Sequence, residues 1–172
     1  LIIYIKEVIK INIAILYHSE SGNTKKVAEL VAEGTHKVDG ITTRCFNIGE
    51  PDFDFIEKAD AVIFGTPTYL ADFSWQMKKF LDTGLKCNLS GKLGAAFATE
   101  NFVGGGADFA LLTLTGHLLV RGMIVYSGGA GNGKPYTHFG AVCIGEGTDD
   151  QKERAVIFGE RVAHKVSELF QK

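Results

Sequence analysis

The sequence is poor in the features that would mark several common functions. Lys and Arg number 18 against 20 Asp and Glu in 172 residues, for a formal net charge of −2. The cations are scattered rather than gathered into runs, so the electrostatic footprint of a nucleic-acid binder is missing. Such near-neutrality also offers little field for steering a strongly charged protein partner. Cys45, Cys87 and Cys143 are odd in number and far apart, which fits neither a disulfide framework nor a zinc ligand set, and points to a reducing cytoplasm. Five histidines, His18, His36, His117, His138 and His164, form no i, i+4 pair, and no metal site is expected. The Ile-rich start, Leu1–Ile15, is interrupted by Lys6, Glu7, Lys10 and Asn12, too short and too charged for a membrane span. No small-residue cleavage site follows it.

What is present is the composition of a globule, 45% apolar and 22% charged residues, in a chain long enough for one domain with a sizeable core. That domain is expected over residues 10–172, with residues 1–9 an N-terminal extension of unknown role. Ile11–Tyr17 is a continuous apolar run of the kind that forms a buried strand. A small-polar cluster follows, and then Val27, Leu30, Val31 and Val38 recur at helical spacing, with Asn23 or Thr24 as cap. Ile41–Phe46, Ala61–Gly65, Lys92–Ala98 and a run beginning Met123–Tyr126 read as four further strands. Trp75–Leu81 and Ala107–Val120 read as helices between them. After a Gly-rich excursion from Gly128 and a short apolar run, Ala141–Ile144, the pair Thr148 and Gln151 opens the last helix as a capping box. Its core face is Ala155, Phe158, Val162, Val166 and Leu169.

Alternating strands and helices, with no pair of strands close enough for an early hairpin, predict a doubly wound α/β domain. Its sheet is parallel and five-stranded, in the order 2-1-3-4-5, with helices on both faces. Ligands of such sheets bind outside the carboxyl ends of the strands at the switch point, which directs attention to three loops. After strand one come Ser19, Glu20, Ser21, Gly22, Asn23 and Thr24, rich in hydroxyls and at the mouth of a helix, a composition suited to a phosphate monoester. A polar turn with a Ser/Thr cap would share it. After strand three, Thr66, Pro67, Thr68, Tyr69 and Leu70 offer hydrogen-bonding groups and a flat apolar side chain for the edge of a planar heterocycle. After strand four, Thr99, Glu100, Asn101, Gly104 and Gly105 belong to a stretch whose three glycines let backbone amides approach a ligand. The segment Gly128 to Gly133-Lys134 imitates a nucleotide-binding P-loop, but Pro135 stands where a Ser or Thr should hold magnesium.

These loops resemble the FMN loops of flavodoxin-like proteins. The wider chain from Ile11 onward is similar to the WrbA-type NAD(P)H:quinone oxidoreductases, through Ala61-Val-Ile-Phe-Gly-Thr-Pro-Thr68, Gln76-Met-Lys-Lys-Phe-Leu-Asp82, Gly104-Gly-Gly106 and Arg121-Gly-Met-Ile-Val125. The resemblance implies that Ser19 to Thr24 grip the ribityl phosphate and Thr66 to Leu70 border the isoalloxazine. Thr99 to Gly105 would contact its pyrimidine side and the ribityl chain. It further implies a cytoplasmic FMN enzyme that takes electrons from NAD(P)H and passes them to a quinone, as a homo-oligomer, dimer or tetramer. No acid or base side chain is named as catalytic, because the flavin carries the redox step. Loop one, however, is closer to the Ser/Thr-x-Thr-Gly-Asn-Thr pattern of flavodoxins proper, and an electron carrier without its own NAD(P)H oxidation is the alternative expectation.

Overall fold

A computed structural model describes residues 10–171; the expected extension over residues 1–9 lies outside the described residues. Strand β1, Ile11–Tyr17, alternates its side chains between two cores. Ile11, Ile13 and Ile15 face one, Ala14 and Leu16 the other, all 1% exposed or less. Both faces of the sheet must therefore be covered, the requirement of a parallel doubly wound architecture. Helix α1, Asn23–Thr35, returns the chain to β2, Ile41–Asn47. A short helix α2, Phe53–Lys58, capped by the Asp52 carboxylate accepting from Phe55 N at 3.0 Å, leads into β3, Ala61–Tyr69. Next come a two-residue strand β4, Asp72–Phe73, and helix α3, Trp75–Lys79, which runs on as a π turn, Phe80–Gly84. Strand β5, Leu93–Glu100, and helix α4, Ala107–Val120, follow. Strands β6, Ile124–Val125, and β7, Ala141–Ile144, precede the long helix α5, Asp149–Phe170.

The parallel order is β2-β1-β3-β5-β6, the expected order with the small β4 inserted in the count. Two features differ from the sequence reading. The fifth position is shared: β6 pairs with the start of β5 (Leu93 with Ile124) and β7 with its end (Phe97 with Ala141 through Glu100 with Ile144). Strand β5 has eight residues and β6 only two, so a second segment is needed to satisfy the exposed backbone groups of β5. There is also an early hairpin. Thr68 pairs antiparallel with Phe73 and Tyr69 with Asp72 across Leu70 (φ 50) and Ala71 (φ 64), two left-handed residues making a tight turn without the usual Asn-Gly signal.

Helices α1 and α5 cover one face through Val27, Val31, Phe158, Val162 and Val166. Their close crossing depends on glycine: a Cβ on Gly159 would stand 2.0 Å from Val31 O, and one on Gly34 1.9 Å from Val156 O. Leu169, expected on this core face, is 38% exposed, because the last turn of α5 runs past the core. The capping box of α5 forms as expected: Gln151 N donates to Thr148 Oγ1, and Gln151 Oε1 accepts from Thr148 N. Helices α3 and α4 cover the other face through Met77, Leu111, Leu114 and Leu118. No helix among the described residues is long and apolar enough to cross a membrane.

Candidate functional site

The order of the sheet makes β1, β3 and β5 neighbours, so the segments leaving their carboxyl ends lie side by side. His18 N donates to Gly65 O at 3.1 Å, joining the first to the second. Thr24 Oγ1 and Thr99 Oγ1 share a hydrogen bond of 2.8 Å, joining the first to the third; the residues are 2% and 5% exposed. Two hydroxyls with one bond between them retain one O–H proton, and it meets no further acceptor among the described residues.

Helix α1 was expected to be capped by the side chain of Asn23 or Thr24. Its N-cap is instead Gly22, at φ 93, which has no side chain to offer; the side chain that reaches the helix mouth is Ser19, from the preceding loop. Only a residue without Cβ adopts that conformation freely, and it leaves the backbone N–H groups of Asn23 and Thr24, the first two of a 13-residue helix, open beside the hydroxyl-bearing loop. Ser19 Oγ accepts from Lys25 N at 3.3 Å. Ser21 is exposed, and Asn23 is half-buried. The flanking cations are engaged elsewhere: Lys26 Nζ lies 2.7 Å from Glu146 Oε1, and Lys25 4.0 Å from Glu29. An anion seated here would therefore be held by amides, hydroxyls and the helix dipole rather than by a charge partner.

Glu20 turns toward the second segment. Its Oε1 accepts from Gln76 Nε2 at 2.7 Å. Burial, and then the Glu20 carboxylate beside it, raise the pKa of Tyr69 above its ordinary value and keep the phenol a neutral donor. Gln76 lies in a stretch that carries the family resemblance but was not among the candidate site residues, and it reaches Glu20 because α3 starts beneath loop one. Thr66, expected to present its hydroxyl to a ligand, does not: it is fully buried, accepting from Ser74 N at 3.0 Å and donating to Pro67 O at 2.9 Å. Its position on β3 turns the side chain into the hairpin, where it fastens the start of α3. Pro67 and Tyr69 are half-buried, and Leu70 is wholly exposed at the hairpin tip. Thr68 Oγ1 and His18 Nε2 are buried without a hydrogen-bond partner among the described residues, His18 Nε2 lying 3.5 Å from Glu20 Oε1. Such orphaned polar atoms are rare, and two at the end of one sheet point to a missing polar occupant.

In the third segment the Glu100 carboxylate is committed to Ala107 N at 3.0 Å and closes the loop onto α4. Asn101 and Gly104 are exposed, and Gly105 N donates to Phe102 O at 3.0 Å. Gly106, at φ 98, lies against Ala71 so tightly that a Cβ would stand 2.5 Å from Ala71 Cα. The β3–β4 hairpin and the Gly-rich loop thus meet across the end of the sheet. Phe102 and Val103, 65% and 84% exposed, project from this loop and were not singled out from the sequence. Beside it lies a cavity of about 580 Å3 bordered by Tyr136, His138, Gln151 and Arg154. The excursion that carries Tyr136 and His138 is fastened by Arg161 of α5, whose guanidinium donates to Asn132 O, Gly133 O, Lys134 O and Pro135 O at 2.8–3.2 Å. Among the described residues no group of His, Cys, Asp and Glu is disposed to hold a metal ion.

The fold and these loops define an α/β domain whose sheet ends, at its carboxyl edge, in hydroxyl-bearing loops beside a helix mouth. Comparison with known proteins narrows the class, for residues 15–136 match the family model described as Flavodoxin. A flavodoxin of Clostridium saccharobutylicum is 49% identical over 158 residues, covering 92% of this chain and 99% of its own. An NAD(P)H dehydrogenase (quinone) of Archaeoglobus fulgidus is 29% identical, covering 91% and 98%. Among solved structures, the flavodoxin, WrbA-like protein from Agrobacterium tumefaciens superposes with a TM-score of 0.76 at 26% identity, over 92% of this chain and 99% of its own. The chain belongs to the flavodoxin family, whose members bind FMN. Of the two expectations, the flavodoxin alternative has the stronger support: flavodoxins match at 49% and 34% identity, and several proteins named NAD(P)H dehydrogenase (quinone) at 29–33%.

Proposed function

We propose that the chain binds FMN at the carboxyl edge of its sheet and serves as a carrier of electrons between redox proteins. The observation that carries the cofactor assignment is the open mouth of α1. Gly22 leaves the Asn23 and Thr24 amides unclosed, and the Thr24–Thr99 pair holds a spare O–H proton beside them. These groups suit a dianionic phosphate monoester, with Ser19, Ser21 and Asn23 completing the cradle. Thr68, Tyr69 and Leu70 from the hairpin, and Asn101, Gly104 and Gly105 from the third loop, would border the ring. Pro67 stiffens the backbone between them, Glu20 ties loop one to α3 through Gln76, and Thr66 and Glu100 brace the second and third segments internally. When bound, FMN supplies the redox chemistry, and the protein's part is to orient the ring and exclude water. The carrier reading rests on the 49% identity to a flavodoxin over nearly the whole chain.

A second reading, oxidation of NAD(P)H with a quinone as acceptor, is favoured by the cavity between Tyr136, His138 and Arg154, large enough for part of a second ligand, and by the relatives named NAD(P)H dehydrogenase (quinone). An anaerobic mixture of the FMN-loaded protein with excess NADH or NADPH separates the two. The carrier keeps its oxidised absorbance for hours, whereas bleaching within seconds overturns the carrier reading.

A further inference from the structure

The cavity beside the Gly-rich loop holds a cation that no acid among the described residues pairs with. Strand β5 separates it from the first two loops: its walls come from β7, the excursion before it, the third loop with the start of α4, and the first turns of α5. Arg154 of α5 borders it. Its Nε is buried without a hydrogen-bond partner, and every ion pair among the described residues involves other groups. A charged donor shut off from water with no acceptor is costly, and native chains rarely leave one so. A second donor borders the same space. Gln151 stands three residues earlier on α5 and therefore on the same side of the helix. Its Oε1 accepts from Ile144 N and Thr148 N, both at 3.1 Å, which fixes the amide and leaves its NH2 as the end free to donate.

We infer that this cavity binds the carboxylate of a small organic acid, with Arg154 as its charge partner. Three features select that class. The guanidinium presents Nε and Nη as a planar fork, which a carboxylate matches with two parallel hydrogen bonds. The cavity already contains two acids, Glu100, committed to Ala107 N, and Asp108, exposed at the rim; His138 is exposed there too. One guanidinium answers a single added negative charge, whereas the second charge of a phosphate would face both acids unanswered. The rest of the wall is apolar, from half-buried Val142 and Ile144 and the exposed ring of Tyr136, so the acid carries an apolar body. A volume of about 580 Å3 accommodates an acid of the size of benzoate. Neither donor belongs to the loops assigned to FMN, so the inference does not rest on the carrier reading. It also differs from a nicotinamide in the same cavity, which would bring phosphates to Arg154.

Titration of the full chain, labelled with nitrogen-15, with sodium benzoate at neutral pH tests it. An acid of this size is expected to bind with a Kd of about 1 mM and to move the NMR signals of the Ile144 backbone amide and the Gln151 side-chain amide. Arg154→Gln should weaken binding at least tenfold, and Arg154→Lys, which keeps the charge without the fork, by less. The thermal midpoint of Arg154→Gln should not fall, because the charge it removes is unpaired, so its loss of binding is not a loss of folding. Benzyl alcohol, the same ring without the charge, should bind at least tenfold more weakly than benzoate. Signals that stay in place up to about 50 mM benzoate, a concentration far above that Kd, overturn the inference. Equal binding by Arg154→Gln overturns it as well. Inorganic phosphate or NADPH moving the same signals at lower concentration than benzoate also overturns it, by assigning the cavity to a phosphate.

Discussion

The hydroxyl pair Thr24–Thr99 allows stability and ligand binding to be separated. Replacing Thr99 by Val removes one hydroxyl and leaves Thr24 Oγ1 buried without its partner. The cost is set by the desolvation of the abandoned group, about 1–3 kcal/mol, and both residues are at most 5% exposed, so the upper half of that range applies. Thr24→Val should cost a similar amount. The double variant leaves no orphan, since two isosteric methyl groups face each other, and its loss should fall well below the sum of the singles, giving a coupling of about 1–2 kcal/mol. FMN affinity should not recover in the same way. If the spare proton of the pair is donated to the phosphate, the double variant still lacks it and binds FMN about tenfold more weakly, the equivalent of about 1.4 kcal/mol. Urea melts of the flavin-free proteins give the stabilities, and quenching of FMN fluorescence gives the affinities. A double variant that binds FMN as tightly as the parent would refute the assignment of this pair to the phosphate cradle.

Other outcomes follow from the packing and the thiols. Gly159→Ala places a methyl group 2.0 Å from Val31 O and forces α5 off α1. Overpacking should exceed the gain in helix propensity by about 2 kcal/mol, a fall of about 4–8 °C in the calorimetric midpoint; an unchanged midpoint counts against the close crossing. Leu70→Asn puts a residue tolerant of the left-handed region at φ 50 on a fully exposed tip, and a urea melt should show a gain of about 1 kcal/mol. Burial, with Glu29 adding to it at Cys45, pushes the thiols of Cys45 and Cys143 up to about 11. The folded chain therefore holds these protons to higher pH than the unfolded chain. Stability should fall as pH rises from 9.0 toward about 11, and iodoacetamide at pH 8 should label both cysteines at least tenfold faster in urea than in buffer.

The architecture was legible because its signals are physical and redundant. The uninterrupted apolar runs at Ile11–Tyr17 and Ala61–Gly65 require burial on both faces, and Thr148 with Gln151 marks a helix start on its own. The three loops were legible by position once the strand order was assumed. The rest depended on neighbours that a single chain does not display. Nothing local distinguishes Thr66 from Thr68, yet one hydroxyl is consumed by Ser74 and the other is left without a partner. The hairpin escaped because Leu70 and Ala71 adopt a turn that normally advertises itself with Asn or Gly. Gly22 rather than Asn23 or Thr24 is the cap because the chain enters the helix through a left-handed residue, φ 93, which glycine adopts without strain. The division of the fifth position between β6 and β7 follows from the length of β5, which the sequence records without saying which segment lies against it. NAD(P)H and quinone entered through resemblance alone, and no arrangement of side chains required them.

In the proposed function the three loops hold FMN, and the protein relays electrons without oxidising nicotinamides itself. An anaerobic reductive titration of the FMN-reconstituted chain, followed by absorbance, tests it most directly. One FMN per chain is expected, reduced by dithionite in two resolved one-electron steps and not bleached by NADPH. A chain that takes up no FMN, or one whose flavin is reduced by NADPH in a single two-electron step, would contradict it.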